Sequence, residues 1–294
     1  LVRSLPGYDG VEVVYPYETG DAEESAGWMN ELGLNWAAVN ANIKKEPQFV
    51  PGALSRPSAD IRRQAVDIVK EAKDFAVKVG APLVTVCPLS DGYDNLFQID
   101  YPKAWRRVID SIGEAAAYRP EMPLFIEYKF SETRAHCLLD SVDRTLLALR
   151  DLQSQNVGVT IDFGHALYSQ ENPAQSIALV AESGFDYYLH TNDNDARFDW
   201  DLVSGTRHFL HYAEFLFYAI EYGYDKYFTT DASPRIFDMK GFFTRHSEIS
   251  QGLYNLMEQL DRKAFRELME KEDAIALMKL VNTEIYRLPG LDGE

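Results

Sequence analysis

The chain has 294 residues, 46% hydrophobic and 13% aromatic, which excludes a disordered polymer and suits one large domain or two small ones. Its 29 lysines and arginines stand against 46 aspartates and glutamates, a net charge of −17, and this excludes a general binder of nucleic acid or anionic membrane, whose phosphates need clustered cations. Two cysteines, Cys87 and Cys137, cannot build a disulfide framework; with no signal peptide and no apolar run of about 18 residues, a reduced, cytoplasmic setting is expected.

Taken in chain order, Leu1–Tyr8 reads as a helix end, and Pro6-Gly7-Tyr8-Asp9-Gly10 as a turn into a strand. Short, nearly continuous apolar runs then follow at Val11–Tyr15, Trp36–Val39, Leu83–Val86, Leu124–Ile126, Val157–Ile161, Tyr187–Leu189 and Tyr227–Thr230. Such runs are the pattern of parallel strands buried on both faces. Helical periodicity lies between them, clearest over 58–79, where Ile61, Ala65, Ile68, Val69, Ala72, Phe75, Ala76 and Val79 recur at three- and four-residue steps. Segments 140–153, 173–183 and 208–221 read as helices too, and Gly33, Gly80, Gly184 and Gly223 stand where helices should stop. A long helical end is expected over 245–286.

Alternating strand and helix predicts an α/β fold with a parallel sheet. No GxGxxG or GxxxxGK[ST] fingerprint opens a helix, so an open nucleotide-binding sheet is disfavoured. Nearly every strand also ends in polar residues: Glu18, Asn40 and Asn42, Asp91, Glu127 and Lys129, Asp162 and His165, His190, and Asp231. A barrel gathers all its strand ends at one mouth, so a (β/α)8 TIM barrel is predicted. Seven strands are countable; the first is expected upstream of Leu1, because a barrel lacking a strand exposes two edges. The expected organisation is a single barrel domain over 1–294, with 261–294 a helical extension packed on the barrel or on a partner.

Four strand ends supply Glu127, Asp162, His190 and Asp231. Three carboxylates and an imidazole suit a hard divalent cation, Mn²⁺ first, with Mg²⁺ or Co²⁺ as alternatives. Each residue alone could be a helix cap or turn former; four on consecutive strands favour a metal site. His165, Asp199 and Asp201 could hold a second metal or a metal-bound water, or belong to a solvated acidic loop. Lys129 follows Glu127 by two residues, so it shares that face of the strand and could donate to a substrate oxygen or simply offset the carboxylates. Glu132 and Arg134 could contact hydroxyls or form a surface pair, and Trp200 could stack on a sugar or a flat aglycone.

The ordered motifs Ile126-Glu127-Tyr128-Lys129, Thr160-Ile161-Asp162-Phe163-Gly164-His165, Leu189-His190-Thr191-Asn192-Asp193 and Thr230-Asp231 resemble those of the xylose isomerase-like TIM barrels. The likeness runs from Gly10 to about Pro234 and is nearest to the rhamnose isomerase type. It implies a structural metal on Glu127, Asp162, His190 and Asp231, a catalytic metal on His165 with Asp199 and Asp201 of the D-x-D-L segment Asp199–Leu202, and the E-x-K lysine at Lys129. The implied activity is aldose–ketose isomerisation or epimerisation, with Lys129, His165, Glu127 and Asp231 catalytic. Isomerases of this type carry a histidine on an early strand, yet segments 36–43 and 83–95 have none. The 3-epimerases have a glutamate where Asp231 stands. The chain also resembles the large subunit of C-glycoside deglycosidases, which implies a lyase acting on 3-keto glycosides with a small partner subunit. A non-catalytic sugar-binding barrel is the third alternative. The expected partners are a sugar or glycoside and a homo-oligomer or small second chain, with no nucleic acid and no membrane.

Overall fold

A computed structural model describes residues 1–152, 154 and 156–289. In chain order it contains β1 (Gly10–Tyr15), α1 (Ala22–Leu32), β2 (Asn35–Ala41), α2 (Ala59–Val79), β3 (Val84–Val86), β4 (Gly92–Tyr93), α3 (Tyr101–Ala117), β5 (Leu124–Glu127), β6 (His136–Cys137) and α4 (Val142–Leu152). There follow β7 (Val157–Asp162), α5 (Phe163–Tyr168), α6 (Pro173–Glu182), β8 (Asp186–Thr191), α7 (Phe209–Glu221), β9 (Phe228–Thr230), α8 (Met239–Gln259), α9 (Arg262–Glu270), α10 (Ala274–Leu280) and a π-helical turn (Val281–Tyr286). Seven strands form one sheet in the order β1-β2-β3-β5-β7-β8-β9, every neighbouring pair parallel. Each strand falls within two residues of its predicted apolar run. The small antiparallel pair β4–β6 joins two loops at the strand C-terminal ends.

The sheet curls into a nearly closed barrel. Where eight strands are expected, the described residues supply seven. The edges of β1 and β9 are not paired with each other, and a cavity of about 530 Å³ lies along the seam, lined by Glu12, Thr191, Tyr227, Thr229, His246 and Tyr254 among others. Burial follows from this. The central strands β5 and β7 are buried at every residue, whereas β1 and β9 are half-buried throughout. Inside the barrel, Ala38, Leu83, Phe125 and Tyr188 pack together; the larger core fills the space between sheet and helices.

Helix α2 realises the predicted 58–79 stripe: Ser58 caps it by accepting from Ile61 N, and Gly80, at φ 77°, ends it in the left-handed conformation that costs glycine least. Gly33 does the same for α1 at φ 61°. Helix α3 is not among the predicted elements, although Ala104, Val108, Ser111, Ile112 and Ala115 line its buried face at helical spacing behind the cap Asp100. Predicted helix 140–153 appears as α4; its last position, 153, lies outside the described residues.

The helical end expected over 245–286 is built from α8, α9, α10 and the π-helical turn. Asp261 and Asp273 each turn back a side chain to accept a backbone N–H, restarting the chain as α9 and α10. This extension packs on the barrel's own helices: Phe265 of α9 lies 5.9 Å from the Phe217 ring of α7, and Arg262 pairs with Glu221 at 2.7 Å. Residues 290–294 of the predicted extension lie outside the described residues.

One buried charge ties α2 to α3. Lys73 is fully buried, and its Nζ donates to the carbonyls of Ala115, Ala116 and Tyr118 at 3.1, 3.1 and 2.5 Å. These are carbonyls at the end of α3 that the helix itself cannot satisfy. Burial draws the ammonium pKa down to about 8. Lys73→Met takes this donor from the Ala115 and Tyr118 carbonyls, while Ala116 keeps Asn156 Nδ2 at 2.7 Å, and a loss of about 2–4 kcal/mol in urea-denaturation stability is expected.

Candidate metal centre at the barrel mouth

Glu127 is the last residue of β5, Asp162 the last of β7, His190 the penultimate position of β8, and Asp231 follows β9. One ligand atom from each can be chosen so that all four lie within 4.8 Å of one another. Strand pairing causes this convergence: Glu127 is in register with Thr160, and Asp162 with His190. Three of the four are buried and Asp231 is exposed, so the group opens toward the mouth.

Asp162 and His190 are also held by hydrogen bonds outside the group. Asp162 caps α5, accepting from His165 N at 2.8 Å with one oxygen and from Asn192 Nδ2 at 2.8 Å with the other. It is therefore both a helix cap and a member of the cluster. Gly164 is required beside it, because a Cβ there would sit 2.1 Å from Asn192 Oδ1. His190 Nε2 meets Glu12 Oε2 at 2.9 Å, while its Nδ1 is buried with no hydrogen-bond partner. That Nδ1 lies 3.4 Å from Asp231 Oδ2 and 3.6 Å from Glu127 Oε1. A buried, unpartnered ring nitrogen facing three carboxylates is the donor set a divalent cation takes. The residues fit the metal implied by the motifs.

The electrostatics agree. Burial opposes the charge on Glu127, yet His190 and His165 outweigh it and hold this carboxyl well below the usual range. Burial likewise opposes protonation of His190, but Glu12 and Glu127 raise its pKa well above the ordinary value. Asp162 is pushed up to about 6, chiefly by burial, with His165 opposing and Asp199, Asp231 and Glu127 adding to the rise. Crowded carboxylates thus draw protons, and a cation among them would relieve the same repulsion.

The second group lies alongside. His165 Nε2 is 3.2 Å from Asp199 Oδ2, its Nδ1 is 3.0 Å from the Tyr128 carbonyl and 3.1 Å from Glu127 Oε1. Lys129 Nζ donates to Asp199 Oδ2 at 2.9 Å and lies 2.8 Å from Glu132 Oε2. Asp199 Oδ1 is buried without a partner. Burial would raise the Asp199 pKa, but His165 and Lys129 hold it well below the carboxylate range. Asp201 sits at φ 52°, its carboxyl pushed up to about 7 by burial and by Asp199, Asp231 and Asp162. Trp200, 43% exposed, packs edge-on against Phe198 at the rim. The Arg134 guanidinium is engaged by the Val50 and Ser90 carbonyls and by Asp94, which joins three loops.

Other polar strand ends serve the framework. Asp91 accepts from the backbone N–H groups of Ala53, Leu54 and Ser55. Glu18 accepts from Val14 N, and Asn42 from Lys44 N and Lys45 N. Conversely, Glu12 and Asn192 belong to the site surroundings without having been singled out from the sequence. A lone carboxylate inside the apolar run Val11–Val14 was the available signal for Glu12.

His246 of α8 supports the loop after β8 from behind. Its Nδ1 accepts from Ser204 N at 3.4 Å and its Nε2 faces Thr191 Oγ1 at 3.0 Å. Burial lowers its pKa from 6.5 to about 3. The unfolded chain therefore binds a proton that the folded chain refuses between those values, and stability falls as pH drops through that window. His246→Gln should flatten the stability–pH curve by up to about 1.4 kcal/mol per pH unit there, read by urea denaturation between about pH 4.5 and 7.

With this geometry, the comparisons are decisive at the level of family. The profile of the xylose isomerase-like TIM barrel matches residues 1–253. The chain belongs to that family. It is similar to the xylose isomerase of Thermus thermophilus, 26% identical over 227 residues, covering 75% of this chain and 57% of that enzyme, so it spans little more than half of that relative. In fold it is similar to a D-tagatose 3-epimerase-like protein, with a TM-score of 0.72, 18% identity and coverage of 85% and 90% of the two chains. It is also similar to the 3-keto-D-glucoside 4-epimerase of E. coli, with a TM-score of 0.67, 16% identity and coverage of 85% and 90%. No described helix of this family member is long and apolar enough to cross a membrane.

Proposed function

We propose that this chain is a divalent-metal-dependent sugar enzyme working by proton abstraction next to a carbonyl, an aldose–ketose isomerase or epimerase. The observation that carries the reading is the convergence of Glu127, Asp162, Asp231 and the unpartnered Nδ1 of His190. A divalent cation held there supplies positive charge beside the carbonyl and the neighbouring hydroxyl of a sugar, worth several kcal/mol as negative charge develops on oxygen.

The chain's own residues supply the rest. The Lys129 ammonium is kept charged: burial opposes it, but Asp199 and Glu132 raise its pKa. It is the donor for a substrate oxygen. Glu127 and Asp231 both lie within 3.6 Å of His190 Nδ1, which suits them as proton acceptor and donor at neighbouring carbons. His165, Asp199 and Asp201 position a water or hydroxide, or a second cation. The Asp201 carboxyl, at about 7, can take or give a proton near neutral pH. Glu132 and Trp200, at the rim, are the substrate-binding candidates; Arg134 acts on the loops that frame them.

A second reading draws on the exposed aromatic rim. Phe97, Phe198, Trp200 and Phe237 are all at least 43% exposed on loops at the mouth, as a flat aglycone would require. In that reading the same enolate chemistry expels the aglycone of a 3-keto C-glycoside, with a small second subunit. A screen of aldoses, ketoses and 3-keto glycosides on EDTA-stripped and Mn²⁺-reloaded protein tests both. Interconversion of free sugars only after Mn²⁺ supports the isomerase or epimerase; aglycone release by protein co-purified with a small chain supports the lyase. Sugar binding unaffected by EDTA, with no conversion, would leave a non-catalytic barrel.

A further inference from the structure

We infer that Glu12 is a positioning residue that fixes the ring of His190 so that Nδ1 is presented to the metal cluster; the inference rests on the metal-centre reading above. Glu12 lies in β1, on the far side of His190 from Glu127, Asp162 and Asp231, and its side chain is 8% exposed. Both of its oxygens accept. Oε2 is 2.9 Å from His190 Nε2, and Oε1 takes the Thr85 hydroxyl at 2.6 Å. Thr85 has one proton to give, and its direction is set by Asn40, whose Nδ2 donates to Thr85 Oγ1 at 2.9 Å. With its oxygen occupied as an acceptor, the Thr85 hydroxyl donates to Glu12.

The chain Asn40–Thr85–Glu12–His190 therefore crosses the barrel interior from β2 through β3 and β1 to β8. Its end is a carboxylate, which can only accept, so Nε2 carries the ring proton. Nδ1 is left as the ring nitrogen that faces the cluster, where it has no hydrogen-bond partner and where a bound cation would replace any proton it holds. A histidine whose distal N–H is fixed by a carboxylate is the arrangement that holds a metal ligand in one tautomer and orientation. The role is distinct from ligation: Glu12 is not among the four residues of the group, and of those four its hydrogen bond is to His190.

The test is calorimetric titration of Mn²⁺ into EDTA-stripped wild type, Glu12→Leu, Glu12→Gln and Thr85→Val, with thermal unfolding of each metal-free protein as the control. Glu12→Leu should weaken Mn²⁺ binding about 10- to 100-fold. Glu12→Gln keeps an acceptor oxygen in place and should recover most of that loss, a rescue that a merely space-filling role would not predict. Thr85→Val should weaken binding several-fold while its unfolding midpoint stays near wild type. Wild-type affinity in Glu12→Leu, or Glu12→Gln as weak as Glu12→Leu, would overturn the positioning role while leaving the metal centre standing. Should Glu12→Leu fail to fold, the Gln and Val variants decide: unchanged affinity in Thr85→Val together with uncorrected loss in Glu12→Gln would overturn it. A wild type that takes up no Mn²⁺ would overturn the metal centre and this inference with it.

Discussion

Glu127→Ala is expected to reduce turnover of the sugar converted by Mn²⁺-loaded wild type by about 10³-fold or more, the loss of roughly 4 kcal/mol of charge stabilisation. Glu127 is fixed by the β5–β7 pairing and faces His165 at 3.1 Å and His190 at 3.6 Å, so its removal strips the cluster of a ligand and of the charge that balances both imidazoles. Bound Mn²⁺ in elemental analysis should fall with activity. Full retention of Mn²⁺ would remove Glu127 from the ligand set. The fold itself should persist, because Glu127 ends its strand and the buried core lies among Leu124, Phe125 and Ile126 and their neighbours.

Lys129→Met should separate chemistry from metal binding. Its ammonium, two residues beyond the end of β5, is 2.9 Å from Asp199 beside the acidic cluster. Loss of a donor to developing negative charge costs about 10²–10³-fold in kcat. Mn²⁺ affinity should change by less than about 10-fold, since Lys129 contacts Asp199 rather than the four cluster residues. Steady-state kinetics beside Mn²⁺ titration read the two effects apart. A kcat within a few-fold of wild type would make Lys129 only the ion-pair partner of Asp199.

Much of this was readable in the residues. Apolar runs such as Val157–Ile161 become strands because both faces are covered, and the polar residue that ends each run lands at one mouth because all seven strands are parallel. The sequence pattern therefore places Glu127, Asp162, His190 and Asp231 on a common rim. What it cannot show is how each side chain is spent. Asp91 and Asp162 stand at the C-terminal sides of β3 and β7, either side of β5, yet Asp91 is consumed by three backbone N–H groups of the 53–55 loop, while Asp162 keeps a place in the cluster as well as capping α5. Arg134 reads as a substrate contact until the Val50 and Ser90 carbonyls are seen to claim its guanidinium. Glu12 hides for the opposite reason: its partner is 178 positions away, and only closure of the sheet toward β8 brings them together. The break at Asp261 in the C-terminal helices is likewise a local capping choice within a segment whose periodicity alone favours continuity.

The central claim is that three carboxylates and one tautomerically fixed histidine at this barrel's mouth hold a divalent cation. The most direct test is titration of Mn²⁺ into EDTA-stripped protein by calorimetry, wild type beside His190→Ala. The structure predicts saturable binding to the wild type that includes a site lost in His190→Ala, while circular dichroism of the variant stays native-like. Equal binding by the two folded proteins, or no binding by the wild type, would contradict it.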